Sequence, residues 1–259
     1  MSLLEGKSGL VLNIANDRSI AYAIAKAAHD HGASVGCGAL PNDKMMNRAR
    51  KAMKEGGFED NFLQGCDVTD DQSVTDFFKS AGEKFGKVDF LVHSLAFADK
   101  DYLKIGRFLE TPREVFAQAL DISAYSLLHL AREAAPILND GGSIICLSYL
   151  GAVQAVPGYN VMGVAKAALE STARYLAMDL GPRGIRVNSI SAGPVRTLSA
   201  MAVGGIDEMF DHTEKKAPLK RNITAEEVGN CAVYLLSDLS TGTTGETIYV
   251  DSGFNIVGL

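Results

Sequence analysis

Short apolar runs alternate with longer segments of helical spacing along most of the chain, and that alternation leaves few folds open. Residues 9–13 read as a strand, and 19–31 carry apolar residues at helical spacing until Gly32 stops them. Strands follow at 35–40 and 61–66, separated by a polar-faced helix at 43–54. A helix at 71–85, a strand at 88–93, a helix from about Pro112 and a strand at 143–148 continue the pattern. The helix after Tyr159 runs to about Leu180, and two more strands are predicted at 184–189 and 247–250. Strands joined through helices of this length need right-handed crossovers and a sheet covered on both faces. The expected architecture is therefore a single α/β domain over residues 1–259, doubly wound, with a mainly parallel seven-stranded sheet. Two stretches lack periodicity, 94–111 and 192 to about 217. Both follow strand ends, where open parallel sheets bind ligands, so they are the expected walls of a site.

A net charge of −6 and a pI near 5.4 oppose nucleic-acid binding, which needs a concentrated positive field. Residues 1–7 show no basic region leading into a long apolar run, so neither a secretory signal nor a membrane span is expected, and the location predicted is cytoplasmic. Cys37, Cys66, Cys146 and Cys231 are far apart, which suits reduced thiols better than disulfides or a zinc site. His29 and His31 point to different faces of a helix end, and no metal site is predicted.

The first strand-to-helix loop, residues 13–21, lacks the G-x-G-x-x-G fingerprint. It still offers small residues (Ala15, Ser19, Ala21) and a helix start whose N–H groups suit a pyrophosphate. An ordinary helix capped by Asp17 or Ser19 explains the same residues. Asp67 is placed either to accept a hydrogen bond from an adenine amino group, beside Val68, or to cap the helix near Asp71.

Tyr159 and Lys166 are seven residues apart. Nearly two helical turns leave them about 20° apart around the axis, on one face. An ammonium held near a phenol favours the phenolate and makes the phenol a better donor to a developing oxyanion. Chance gives such pairs too.

Residues 19–21 (Ser-Ile-Ala), 66–68 (Cys-Asp-Val), 93–94 (His-Ser), 121–123 (Asp-Ile-Ser), 147–151 (Leu-Ser-Tyr-Leu-Gly), 159–166, 191–197 (Ser-Ala-Gly-Pro-Val-Arg-Thr) and 250–251 (Val-Asp) span nearly the whole chain. In that order and spacing the sequence resembles the enoyl-acyl-carrier-protein reductases of bacterial fatty-acid synthesis, a divergent branch of the short-chain dehydrogenase/reductases. The ketone-reducing branch places its Lys four residues after Tyr, and Gly163 stands there in this chain. The resemblance implies a Rossmann-type subunit, commonly a homotetramer, that reduces the trans-2 double bond of an acyl thioester on acyl carrier protein or CoA. It implies NADH as cofactor, with NADPH as the alternative, and hydride delivery to the β-carbon. Tyr159 is the expected donor to the enolate oxygen, Lys166 the ligand of the nicotinamide ribose, and Tyr149 the second contact to substrate.

By the same resemblance Asn13, Ala15, Ser19, Ile20, Asp67, Val68, Ser94, Leu95, Ala96, Ile122, Leu147, Lys166, Gly193, Pro194, Val195 and Thr197 hold the cofactor. Tyr149, Tyr159, Met162, Leu103, Ala200, Ile206 and Met209 line an apolar acyl channel, with residues 196–217 as a mobile lid; Met162 and Met209 suit core packing equally well.

Four departures from the family stand out. Asn13 replaces a usual Gly, and Asn is among the residues that best accept a positive φ. Ala96 replaces a Gly beside the nicotinamide, and its methyl is expected to narrow the pocket that flat phenolic inhibitors use. After the second strand, Asp43 favours NADH while Lys44 and Arg48 favour NADPH. Asp207 and Glu208 stand where relatives present basic residues to the acidic carrier, so docking is expected to weaken or to move to Lys215, Lys216, Lys220 and Arg221. Two other functions suit such a fold: a short-chain dehydrogenase acting on a ketone or alcohol (3-oxoacyl or hydroxysteroid type), opposed by the seven-residue spacing, and a non-catalytic nucleotide-binding regulator, opposed by the retained Tyr149, Tyr159 and Lys166.

Overall fold

In the computed structural model residues 2–58, 61–197, 200–202 and 206–258 are described, with only the backbone of Ala202 and Ile206. Seven strands form one sheet: β1 (Ser8–Leu12), β2 (Ser34–Ala39), β3 (Leu63–Gly65), β4 (Val88–His93), β5 (Leu138–Ser148), β6 (Arg186–Ala192) and β7 (Thr247–Val250). Their order is β3-β2-β1-β4-β5-β6-β7. Every pairing is parallel, so the expectation of a mainly parallel sheet is sharpened to a wholly parallel one.

The two-residue period of the strands divides the core. Val11, Val35, Cys37, Ala39, Phe90, Val92, Ile145 and Ile190 face one side, packed by α1 (Ile20–Asp30), α2 (Asp43–Gly56) and α8 (Ala225–Leu236). Leu10, Leu12, Leu91, Ile144, Cys146 and Val187 face the other, packed by α3 (Asp71–Phe85), α5 (Ser126–Ala134) and α6 (Asn160–Leu180). Apolar side chains on both faces of each strand are what a buried parallel sheet requires.

Three sequence expectations change. The helix expected from Pro112 is α4 (Arg113–Leu120) joined to α5 through a π turn, Asp121–Tyr125. The sixth strand lies at Arg186–Ala192 rather than 184–189, because Gly184 takes a left-handed φ of 69° and ends the preceding turn. Helix α8 has no counterpart among the expectations, although Thr224 and Glu227 form a complete capping box at its start. Between β6 and α8 lies α7 (Ile206–Lys216). No helix among the described residues is long and apolar enough to cross a membrane.

Candidate active site

The strand order reverses between β1 and β4, which opens a crevice at their carboxyl ends. Asn13 sits at its floor. Its φ is +70°, the conformation in which the family's usual Gly would be at ease. Asn also adds what Gly lacks: its Nδ2 donates to the Ser94 carbonyl at 2.9 Å, tying the two halves of the sheet together. Of the two candidate caps for α1, Ser19 holds the position, accepting from Tyr22 N at 3.2 Å. That leaves the start of α1, with small Ala15 before it, facing the crevice. Asp67 Oδ1 accepts from Thr69 N at 3.0 Å and from Thr69 Oγ1 at 2.7 Å, while Asp70 caps α3, so the capping alternative for Asp67 is not realised. At the end of β2, Asn42 caps α2 and Asp43 is that helix's first residue.

Strand β5 and helix α6 carry the chemistry. Tyr149 follows β5 and meets Tyr159 edge-on, ring centroids 4.7 Å apart. Lys166 is 5% exposed, and its Nζ donates to the Leu147 carbonyl at 2.6 Å. Burial lowers its pKa to about 8, against the opposing pull of Cys146 and Glu170. Burial pushes Tyr149 up to about 12, with Asp251 adding to it, and pushes Tyr159 higher still, helped by Tyr149. The expectation that Lys166 would draw Tyr159 towards its phenolate is thus corrected. Its ammonium is engaged with a backbone carbonyl, desolvation dominates the phenol, and Tyr159 stays protonated and able to donate.

The position four residues after Tyr159 is sterically crowded. A Cβ at Gly163 would lie 2.7 Å from the Gly151 carbonyl oxygen, and one at Gly151 2.4 Å from Tyr159 Cδ1. The backbone after Tyr149 therefore presses against α6 where the ketone-reducing branch needs its Lys, and no side chain fits. Glu170, one turn beyond Lys166 and 6% exposed, accepts from Ser148 Oγ at 2.5 Å. Sequence reasoning passed over it, though its i+4 spacing from Lys166 was a signal.

These groups surround a largely apolar cavity of about 660 Å³, within the usual range for small-molecule sites. Of the expected cofactor residues, Asn13, Ala15, Ser19, Ile20, Ser94, Leu95, Ala96, Leu147, Lys166, Gly193, Pro194, Val195 and Thr197 line it. Of the expected substrate residues, Tyr149, Tyr159, Met162, Leu103, Ala200 and Met209 do so. Asp67, Val68 and Ile122 are outside its lining; Val68 and Ile122 join the apolar cluster on the α3 and α6 side of the sheet. The Ile206 side chain, and Leu198, Ser199 and residues 203–205 of the expected lid, lie outside the described residues.

Phe97, Ala98, Asp99 and Lys100 line the cavity without a mark in the sequence, and Ser148 and Ala192, part of the quoted runs but given no role there, line it too. Ser148 and Ala192 end β5 and β6 beside residues that were given one; the Phe97–Lys100 wall lies in a stretch with no periodicity to mark it. A nicotinamide dinucleotide fits this donor set: the capped start of α1 would take its pyrophosphate and the Lys166 ammonium a ribose.

A wholly parallel doubly wound sheet, with a crevice that collects a Tyr and a buried Lys from one helix, defines the short-chain dehydrogenase/reductase class. Within it, a family model described as Enoyl-(Acyl carrier protein) reductase matches residues 14–255, and the chain belongs to that family. It is 52% identical to the enoyl-acyl-carrier-protein reductase (NADH) FabI of Synechocystis over 99% of both chains. It is 50% identical to the enoyl-acyl-carrier-protein reductase (NADH) 1 of Rhizobium meliloti, over 99% of this chain and 93% of that one. Among solved structures, the Anaplasma phagocytophilum reductase in complex with NAD superposes with a TM-score of 0.94 at 46% identity, covering 99% of this chain and 97% of that one. The Bacillus cereus enzyme with NADP+ and an indole naphthyridinone gives 0.96 at 46% identity over 100% of both chains.

Proposed function

We propose that this protein catalyses the NADH-dependent reduction of the trans-2 double bond of enoyl-acyl-carrier-protein thioesters in fatty-acid synthesis. The observation that carries the reading is the Tyr159–Lys166 pair: the crowded Gly163 disfavours a side chain four residues after Tyr159, and the Lys stands seven residues after it. The relatives' common description as NADH enzymes supports the cofactor. When bound, that cofactor supplies the hydride. Lys166 holds its ribose hydroxyls. Tyr159, kept protonated by burial, donates a hydrogen bond to the thioester oxygen as enolate charge develops there, a contribution of about 3–4 kcal/mol for one well-placed donor. Tyr149, edge-on to Tyr159, steadies the phenol and supplies a second contact to the substrate. Leu103, Met162, Ala200 and Met209 give the acyl chain an apolar path that keeps water from the enolate.

The carrier protein is the natural donor of the thioester. Arg196 is drawn into the lid, pairing with Asp207 at 3.2 Å and lying 4.3 Å over the Phe210 ring, and Arg221 is bound in a fork by Glu227. Lys220 Nζ donates to the Lys215 carbonyl at 2.9 Å, so the docking cations are Lys215 and Lys216. Exposed Tyr125, Leu128, Tyr175 and Met178 on the outer helices support a homotetramer, working in the cytoplasm with the soluble carrier. The test is absorbance at 340 nm with crotonyl and longer enoyl thioesters and either cofactor. NADH oxidation faster than NADPH oxidation is expected, and turnover of a ketone with no turnover of any enoyl thioester would overturn the reading.

A further inference from the structure

The cavity wall formed by Phe97–Lys100 and Leu103 is clamped at two points that the chemistry above does not use. At one end Ser123, inside the π turn, accepts from Phe97 N at 3.0 Å and lies 3.2 Å from the Phe97 carbonyl. At the other, Asn160 Nδ2 donates to the Tyr102 carbonyl at 2.6 Å and to the Lys104 carbonyl at 2.8 Å. A primary amide has two N–H bonds on one nitrogen, and here each takes one carbonyl. Leu103, the residue between those carbonyls, is 4% exposed and packs with Val161, Met162 and Ala165, with Tyr159 alongside. Asn160 makes this bridge from a left-handed backbone, φ +44°, directly after Tyr159. Left-handed backbone costs a non-glycine residue free energy and persists where surrounding contacts enforce it.

We propose that Asn160 is a positioning residue for the acyl chain: by carrying Tyr102–Lys104 it seats Leu103 against Met162, beside Tyr159, and so fixes the apolar stretch of cavity wall that the chain follows. The phenol and the chain wall are thereby set by consecutive residues, so a chain lying along that wall is presented to Tyr159 in one register. The inference rests on the enoyl-thioester reading and goes beyond it, because it assigns the discrimination between short and long acyl chains to a residue that touches neither cofactor nor reacting atoms.

The variants Asn160→Gly and Asn160→Asp separate backbone from bridge. Glycine keeps the positive φ and removes both donors; aspartate tolerates the same backbone but turns a carboxylate on two carbonyl oxygens. For Asn160→Gly, KM for a dodecenoyl thioester is expected to rise about tenfold, with a change of less than about twofold for crotonyl thioester, since a four-carbon chain has far less apolar surface to lay on the wall. Asn160→Asp is expected to exceed that loss. NADH affinity, read by fluorescence titration, should match the parent, and deuterium exchange of the 100–106 peptide should accelerate in both variants while β1 stays protected. Parent-like KM values with both substrates and unchanged exchange would overturn the proposal, as would equal losses with both chain lengths accompanied by weakened NADH binding. A parent enzyme that reduces neither thioester would overturn the functional reading and this inference with it; an active parent with indistinguishable variants would overturn this inference alone.

Discussion

Lys166 and Tyr159 share a helix face, yet their environments assign them different work. Lys166 keeps its ammonium only below a pKa of about 8, so the grip on a ribose proposed for it should hold at neutral pH and loosen as pH rises through that value. The expected outcome is an NADH dissociation constant that is flat from pH 6 to 7.5 and climbs above 8. In Lys166→Met the constant is higher by roughly 30-fold at pH 7, the worth of a charged hydrogen bond, and the climb is absent. Tyr159→Phe, by contrast, should lower kcat by about 10²–10³ with NADH affinity unchanged, because the bond proposed for it strengthens only as the oxyanion forms. Equal turnover by Tyr159→Phe and the parent would move the donor role to Tyr149. Tyr159 and Lys166 were legible in the sequence because a phenol and an ammonium seven residues apart share a helix face, whereas Tyr149 and Asn13 were marked only by the family resemblance. Phe97 and Lys100 were marked by neither, because their wall is placed by Ser123 and Asn160, contacts made 26 and 56–58 residues along the chain.

Helix α6 sits against the turn after β5 at a contact that permits no side chain on either partner. A methyl at Gly163 meets a backbone oxygen rather than a movable side chain, so the turn carrying Tyr149 or the helix carrying Tyr159 has to shift. Gly163→Ala should lower unfolding free energy by about 1–3 kcal/mol in urea denaturation and reduce turnover more than NADH binding. An unchanged midpoint with full activity would show that the contact is not rigid. At this scale the alternation of apolar runs located the strands well, since strands buried on both faces read as unbroken apolar stretches. It carried no mark for the π turn within the α4–α5 segment, where helical spacing continues without interruption. Helix α8 was readable from Thr224, Glu227 and the spacing of Val228, Ala232, Leu235 and Leu236, but it follows an aperiodic stretch rather than a strand and so falls outside the alternation.

Across the whole molecule the sheet's order does two things at once: it buries the core on both faces and opens the crevice at the β1–β4 reversal. The same burial encloses the thiols. It raises Cys66 to about 12 and Cys146 and Cys231 to about 11 from an ordinary 9.0, with Cys37 beyond them. The stability held by these neutral thiols is complete below their unfolded value and is lost as pH rises from there towards 11–12. Buried Tyr149 and Tyr159 act in the same sense, and Lys166 in the opposite one. Thermal denaturation followed by circular dichroism should therefore show Tm lower at pH 10 than at pH 8 by at least about 3 °C, the shift given by roughly 1 kcal/mol in a domain of this size. Equal values would mean that the thiols reach solvent. The most direct test of double-bond reduction at this crevice is to supply NADH bearing deuterium at both C4 positions with crotonyl thioester and to locate the label by NMR. Deuterium on the β-carbon of butyryl thioester is the expected result; no label in that product, with a 3-oxoacyl thioester instead gaining deuterium at its carbinol carbon, would contradict it.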